Sequence, residues 1–244
     1  MASDEGRDFI KNFCPLGGHV GSFGSVCGQA CGPAGHWGDE PGKTEMSVLL
    51  IQASPSAQSR SAALLNAVQQ QLLQERVGHV EQLRIASLPA QALLLANAED
   101  AQLRQALAAV QHAQVVVIAT PVYKAAYSGL LKVFLDLLPQ AGLKGKTVLP
   151  LATGGSPNHM LALDYALRPV LQSLSARHIL PGVYGVEGQI VLTPEGAYTL
   201  EAQLQARLHD AVTNLLQEHA RISRVVGQDG GFEAIAFAHV RCSV

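Results

Sequence analysis

The sequence has few charged residues, no long hydrophobic run and no cysteine through most of its length. Only 15% of its 244 residues are charged and the formal net charge is -2, which argues against a nucleic-acid partner because such partners attract clustered positive charge. No apolar run approaches the roughly 18 residues that a membrane span requires. We therefore expect a soluble protein that binds neither membrane nor nucleic acid.

Cysteine is absent between Met46 and Arg241, so no disulfide framework supports the core. The cysteines near the two ends are Cys14, Cys27, Cys31 and Cys242. Because reduced thiols are typical of the cytoplasm, this distribution predicts a cytoplasmic protein.

Residues 1–45 are rich in Gly and poor in Leu, with no periodic apolar face. We expect this extension to be loose. Its candidate metal ligands are His19, Cys27, Cys31 and His36. Their spacing matches no standard zinc pattern, so we predict no metal site there.

Whether the extension is native stays open, since Met46 stands directly before the first strand-like run. The main domain is predicted over residues 46–222, followed by a tail of unassigned role over 223–244.

From Met46 onward, short apolar runs alternate with stretches of helical spacing. The strand-like runs are Val48–Ile51, a weaker Val80–Ile85, Val115–Ala119, Val148–Ala152 and Ile179–Val183. Five strands with intervening helices predict a three-layer α/β domain around a parallel sheet, in a nucleotide-binding or a flavodoxin-like order. Ligands of such domains bind at the carboxyl ends of the strands.

Three intervening segments have apolar residues on one helical face. These residues are Leu64, Leu65, Val68 and Leu72, then Leu103, Leu107 and Val110, and later Leu204, Leu208, Val212 and Leu215. A proline at Pro169 should kink or divide another helix, because proline lacks an N–H and clashes within a helix interior.

The loop after the first strand offers hydroxyls, backbone N–H groups and one cation. Its candidate residues are Ser54, Ser59, Arg60 and Ser61. This set of residues is typical of a phosphate site at a helix N-terminus. The same residues also fit a polar turn in which Ser59 caps the helix. The loop has neither a GxGxxG nor a GK[ST] motif, so a monophosphate suits it better than a pyrophosphate.

Two further loops follow neighbouring strands. Pro121 begins the second, and Thr153-Gly154-Gly155 lets backbone amides of the third approach a ligand without side-chain obstruction. Each is also compatible with a plain strand end or turn. Together, a phosphate at the first loop and a planar ring between the other two indicate flavin mononucleotide (FMN).

Three segments carry a family resemblance: ASPSAQSRSAALL from Ala53, TPVYKAAYSGLLKVFLDLLP from Thr120 and LATGGSPNHMLALDYALRPVL from Leu151. They resemble the NADPH-dependent FMN reductases, in particular those of alkanesulfonate assimilation. The resemblance implies a flavodoxin-like fold with strand order 2-1-3-4-5. It also implies reduction of FMN by NADPH, or by NADH, to supply free reduced FMN to a partner flavin-dependent monooxygenase in sulfur assimilation.

The resemblance also assigns residues. Ser54, Ser59, Arg60 and Ser61 would hold the FMN phosphate, Pro121, Val122, Tyr123 and Lys124 would line one edge of the flavin ring, and Thr153, Gly154 and Gly155 would line the other. Relatives commonly place an arginine after the Ser-Pro pair, whereas here Ser56 follows Pro55. The preference for NADPH over NADH is therefore open.

No catalytic side chain is predicted, because hydride passes between stacked rings and the protein mainly positions them. His159 and Asp164 lie near the third loop, but we expect a helix cap or a surface position for each. Two alternatives stay open: a quinone or azo-dye reductase of the same fold that keeps FMN bound, and a flavodoxin-like electron carrier without enzyme activity.

Tyr127 is the one large residue in the small-residue stretch after Lys124, where we expect a helix to start. In the family that the chain resembles, a tyrosine here is an insertion that makes a π-bulge against a neighbouring subunit. The resemblance thus implies a homotetramer or homodimer in which Tyr127 favours release of the flavin. An ordinary half-buried tyrosine is the alternative.

Overall fold

The computed structural model describes residues 46–193 and 197–228. The predicted N-terminal extension with its candidate metal ligands lies outside the described residues, as does the end of the tail beyond Gln228. Within the described residues, no helix combines the length and apolar character needed to cross a membrane. No cluster of His, Cys, Asp and Glu side chains in that part of the chain is arranged to hold a metal ion.

A parallel sheet forms the centre of the domain. Its strands are β1 (Ser47–Gln52), β2 (His79–Arg84), β3 (Val115–Tyr123), a two-residue β4 (Ala126–Tyr127), β5 (Thr147–Gly154), β6 (His178–Ile179) and β7 (Val183–Val186). The order is β2-β1-β3-β5, and both β6 and β7 pair in parallel with β5. The predicted flavodoxin-like order 2-1-3-4-5 is thereby confirmed.

The fifth predicted strand, Ile179–Val183, is not continuous but consists of the two short strands β6 and β7. Pro181 lies between them and has no N–H to donate to a neighbouring strand. Leu180 still donates its backbone N–H to the carbonyl of Val148 at 2.9 Å. The segment therefore stays against β5 although regular pairing is interrupted.

In the part of the chain that the structure describes, six α-helices and several short turns accompany the strands. The helices are α1 (Arg60–Gln74), α2 (Ala90–Leu94), α3 (Ala101–His112), α4 (Gly129–Leu135), α5 (Arg168–Ser173) and α6 (Ala202–Gln228). A π-helical segment, Leu163–Leu167, directly precedes α5. Pro169 thus lies in the first turn of α5, where its missing N–H costs nothing. The predicted break is absent, because Leu167 and Arg168 keep right-handed helical dihedrals and the helix only changes from π to α type next to Pro169. The predicted domain end at residue 222 lies inside α6.

The sheet separates two hydrophobic clusters, as three layers require. Leu49 and Ile51 of β1 belong to one cluster, and Val48 and Leu50 belong to the other. The second cluster contains the predicted faces of α1 and α6, namely Leu64, Leu65, Val68, Leu72, Leu204, Leu208, Val212 and Leu215. In α3, Leu103 and Val110 are buried, while Leu107 is partly buried. The predicted helical faces are confirmed.

A β-hairpin, and not a helix, follows Lys124. Strand β4 pairs antiparallel with the end of β3, with Val122 opposite Tyr127. The two loop residues, Lys124 and Ala125, have φ of 50° and 64°. A left-handed pair makes a tight hairpin turn and cannot begin a right-handed helix. Helix α4 begins only at Gly129, so the predicted π-bulge at Tyr127 is wrong.

Candidate functional site

The three predicted loops meet in one cleft at the carboxyl ends of β1, β3 and β5. The cleft has a volume of about 270 Å³. Its lining consists of Ser54, Ser56, Gln58, Ser59, Arg60, Ser61, Pro121, Val122, Tyr123, Thr153, Gly154, Gly155, Glu187 and Tyr198. The site is therefore assembled from segments that are far apart in sequence.

The first loop is folded by its own hydrogen bonds. The buried Ser54 hydroxyl accepts the backbone N–H of Ser56 at 3.2 Å. The amide nitrogen of Gln52 donates to the carbonyls of Ser56 and Ala57 at 3.2 and 3.3 Å. These bonds occupy the carbonyls of Ser56 and Ala57 and fix the conformation of the loop.

Helix α1 points its N-terminus at the cleft. Ser59 caps the helix, since its hydroxyl accepts the N–H of Ala62 at 3.1 Å. The hydroxyls of Ser59 and the buried Ser61 lie 3.2 Å apart. Free N–H groups in a first helical turn attract anions. The capping role of Ser59 and an anion site are thus compatible in one loop.

Arg60 pairs with a carboxylate that the sequence did not indicate. Its guanidinium binds the carboxylate of Glu187, in a turn that follows β7. The side chains are 40% and 58% exposed, so both groups are open to solvent. The Nε of Arg60 is buried and finds no hydrogen-bond partner among the described residues. Glu187 alone therefore fixes the guanidinium in this position within that part of the chain.

The second loop is tied to the first through Ser128. The buried Ser128 hydroxyl donates to the carbonyl of Ala53 at 2.7 Å and accepts the N–H of Leu131 at 3.2 Å. Its backbone N–H donates to the hydroxyl of Thr120 at 3.0 Å. One serine thus caps α4 and sets the spacing between two walls of the cleft.

The residues after Thr120 form the flat wall. Tyr123 is 54% exposed beside Pro121 and Val122, so its ring is available to a planar ligand. Lys124 lies at the tip of the hairpin and does not line the cleft. Tyr127 does not line it either, and its half-buried ring packs against the hydrophobic core. This burial raises the pKa of the Tyr127 phenol.

The third loop is held by Tyr184 of β7. The Tyr184 hydroxyl donates to the carbonyl of Ser156 at 2.7 Å, and burial raises the pKa of that hydroxyl. A Cβ at Gly154 would overlap the same hydroxyl, so a larger residue there would displace Tyr184 from Ser156. The loop therefore presents backbone to the cleft, as a close approach to a flat ring requires.

The cleft suits a molecule with an anionic end and a planar body. Hydroxyls, helix N–H groups and Arg60 lie at one end, and Tyr123 and the glycine loop flank the other. His159 and Asp164 are both exposed and outside the lining. Asp164 pairs with Arg168, with 3.0 Å between Oδ1 and Nε. Their predicted surface positions are confirmed.

The sequence profile of the family described as NADPH-dependent FMN reductase matches residues 46–195, more than half of the chain. The chain belongs to this family. An FMN reductase (NADPH) from Pseudomonas putida is 42% identical over 183 residues, covering 74% of this chain and 92% of the relative. An FMN reductase (NADPH) from Escherichia coli is 44% identical over 148 residues, covering 60% of this chain and 76% of the relative.

A solved relative supports the same assignment. The apo crystal structure of an NADH:FMN oxidoreductase (EMOB) is 38% identical, with a TM-score of 0.65. The match covers 71% of this chain and 89% of the relative. A solved structure and the sequence relatives thus agree on membership in the FMN reductase family.

Sequence reasoning missed several residues at this cleft. Gln58, Glu187 and Tyr198 line it, and Tyr184 supports it from behind. Glu187 follows β7 at the carboxyl edge of the sheet, which is a position where a ligand-facing residue is expected. Nothing local identifies Tyr198, because it reaches the cleft on a separate antiparallel pair formed by β8 (Ile190–Leu192) and β9 (Tyr198–Leu200).

Proposed function

We propose that the protein reduces FMN with NADPH or NADH and releases the reduced flavin. The observation that carries this proposal is the composition of the cleft. Ten of the eleven residues that the sequence assigned to FMN line this one cleft, all except Lys124. Family membership supplies the reaction, and the cleft supplies a place for its flavin substrate.

The donor set fits FMN. Ser54, Ser59, Ser61 and the first turn of α1 offer hydroxyl and N–H donors to the phosphate. Arg60 adds the one cation in the described lining. No role in binding is proposed for Lys124. Bound FMN supplies the acceptor for hydride from the nicotinamide, and the chain positions the two rings.

The ring would lie between two walls. Pro121, Val122 and Tyr123 would line one edge, and Thr153, Gly154 and Gly155 would line the other. Backbone N–H groups of these loops can stabilise the anionic reduced flavin without a charged side chain. The part of the lining that the structure describes contains no histidine, lysine or aspartate. The cleft therefore favours hydride transfer by positioning over acid or base catalysis by those side chains.

Both nicotinamide donors are compatible with the comparisons. The two bacterial relatives are named as NADPH enzymes, whereas the solved relative is named for NADH. The chain places Ser56 where an arginine is common, which removes one contact for an extra phosphate. We propose that NADH competes effectively with NADPH.

The wider role is also a proposal. The three resembling segments support delivery of reduced FMN to a flavin-dependent monooxygenase, in alkanesulfonate desulfonation and sulfur assimilation in the cytoplasm. Exposed apolar side chains support a homotetramer or homodimer: Met160 and Tyr165 are exposed by 55% and 79%, and the segment Leu163–Leu167 packs against β4. We propose that Tyr127 contributes to this contact and to flavin release.

Steady-state kinetics test the reaction. Oxidation of NADPH and of NADH would be measured with FMN, FAD, riboflavin and a quinone as acceptors, together with the FMN content of the purified protein. We expect colourless protein and turnover of free FMN. Stoichiometric bound FMN with quinone as the better acceptor would contradict release, and failure to oxidise either nicotinamide would contradict reductase activity.

A further inference from the structure

Glu187 enters the cleft from an element to which the sequence assigned no site residue. Its carboxylate binds the Arg60 guanidinium on one side. On the other side, a Cβ built at Gly155 would lie 3.8 Å from Glu187 Oε2. The carboxylate therefore sits between Arg60 of the first loop and Gly155 of the third loop.

The turn that carries Glu187 is fixed by its neighbours. The side-chain oxygen of Gln189 accepts the Val186 N–H and an Arg207 N–H, each at 3.3 Å. The carbonyl of Gln189 accepts the Glu201 N–H at 2.9 Å. Because these bonds anchor both ends of the turn, the position of Glu187 is a property of the fold.

Arg60 and Glu187 are the one cation and the one anion in the described lining of the cleft. Their charges cancel before any ligand arrives. A phosphate carries a charge of about −1.5 to −2 at neutral pH, so it meets a neutralised arginine and a carboxylate of like sign. Both side chains are well exposed, and exposed ion pairs are weak enough to exchange partners.

We propose that Glu187 sets the affinity for FMN by competing with the FMN phosphate for Arg60. This inference rests on the proposed function, in which FMN occupies the cleft. Glu187 weakens binding of the phosphate-bearing flavin and leaves riboflavin unaffected. The pair thereby keeps FMN an exchangeable substrate, and Glu187 is a specificity-determining residue for the flavin.

Flavin fluorescence titrations of the full chain test this inference. We expect Glu187→Gln to increase the affinity for FMN about fivefold, which corresponds to the energy of an exposed ion pair. The affinity for riboflavin should be unchanged. Glu218→Gln is the matched control, since Glu218 pairs with Arg221 at 2.8 Å on α6 outside the cleft. It should change neither affinity.

A double-mutant cycle separates competition from simple repulsion. In an Arg60→Ala background, the Glu187 carboxylate and the FMN phosphate have no guanidinium to compete for. Glu187→Gln should therefore increase the affinity for FMN much less than it does in the wild-type background. Equal tightening in both backgrounds would overturn competition for Arg60, as would an unchanged FMN affinity or an equal change for riboflavin. Failure of the proposed function would be distinguishable from failure of this inference, because the wild-type protein would then neither bind nor reduce FMN.

Discussion

At the scale of single residues, buried hydroxyls hold the cleft together. Ser128 contributes three hydrogen bonds that join Ala53, Thr120 and Leu131. The carbonyl of Ala53 sits at the start of the phosphate loop and is buried with its residue. A change at Ser128 therefore affects both the stability of the fold and the spacing of the two loops.

We expect Ser128→Ala to lower the free energy of unfolding by about 1–3 kcal/mol, because the Ala53 carbonyl and the Leu131 N–H lose their partner. Urea denaturation measures this loss. Ser173→Ala is the control, since the exposed Ser173 hydroxyl donates to the nearby Val170 carbonyl at 2.7 Å. Equal losses for the two variants would show that Ser128 is not a structural link between the loops.

The phosphate assignment is tested at Arg60. We expect Arg60→Ala to weaken FMN binding about fivefold and to leave riboflavin binding nearly unchanged, since only FMN carries a charge for the guanidinium to engage. The effect is modest because Glu187 already neutralises Arg60. Fluorescence titration with both flavins measures it, with Arg221→Ala as the control. Equal losses for FMN and riboflavin would remove Arg60 from the phosphate site.

At the scale of secondary structure elements, the β3–β4 hairpin determines where Tyr123 stands. Its turn places two non-glycine residues in the left-handed region, at Lys124 and Ala125. Each such residue costs roughly 1–2 kcal/mol relative to a right-handed conformation. The hairpin persists because the flanking residues pair and because Tyr127 packs against the core.

Glycine at the second turn position should relieve this cost. We expect Ala125→Gly to raise the free energy of unfolding by about 0.5–1 kcal/mol, which is the left-handed cost less the greater freedom of glycine in the unfolded chain. Ala126→Gly is the control, because Ala126 lies in β4 and should lose stability on the same change. Thermal unfolding of both variants gives the comparison. A destabilised Ala125→Gly would mean that the turn carries no such strain.

The regular elements could be predicted from the sequence, and the irregular ones could not. Apolar runs and helical spacing located β1, β3, β5 and the packed faces of α1 and α6. The hairpin at Lys124 was missed because neither turn residue is glycine or asparagine, which usually mark such turns. The pairing of Arg60 with Glu187 joins residues 127 positions apart and has no local pattern. Long-range partners of this kind depend on the assembled sheet.

At the scale of the whole molecule, the described residues leave several apolar side chains exposed around the segment that follows the third loop. Met160, Leu161 and Tyr165 are exposed by 55%, 53% and 79%. They lie in and just before the π-helical segment, which packs next to β4. Short π-helical segments often occur at functional sites. This surface is consistent with the proposed homotetramer or homodimer.

Tyr127 connects that surface to the cleft. It pairs with Val122 across the hairpin, and Val122 and Tyr123 form the flat wall. Under the proposal that Tyr127 contributes to a subunit contact and to flavin release, removing its ring would loosen the hairpin, weaken that contact and make the protein retain FMN. We therefore expect Tyr127→Ala to lower the oligomeric mass in light scattering and to retain FMN through purification, with loss of transfer to free flavin acceptors. Tyr127→Phe keeps the ring and should behave like the wild type. A colourless Tyr127→Ala variant with unchanged mass and wild-type turnover of free FMN would limit Tyr127 to packing.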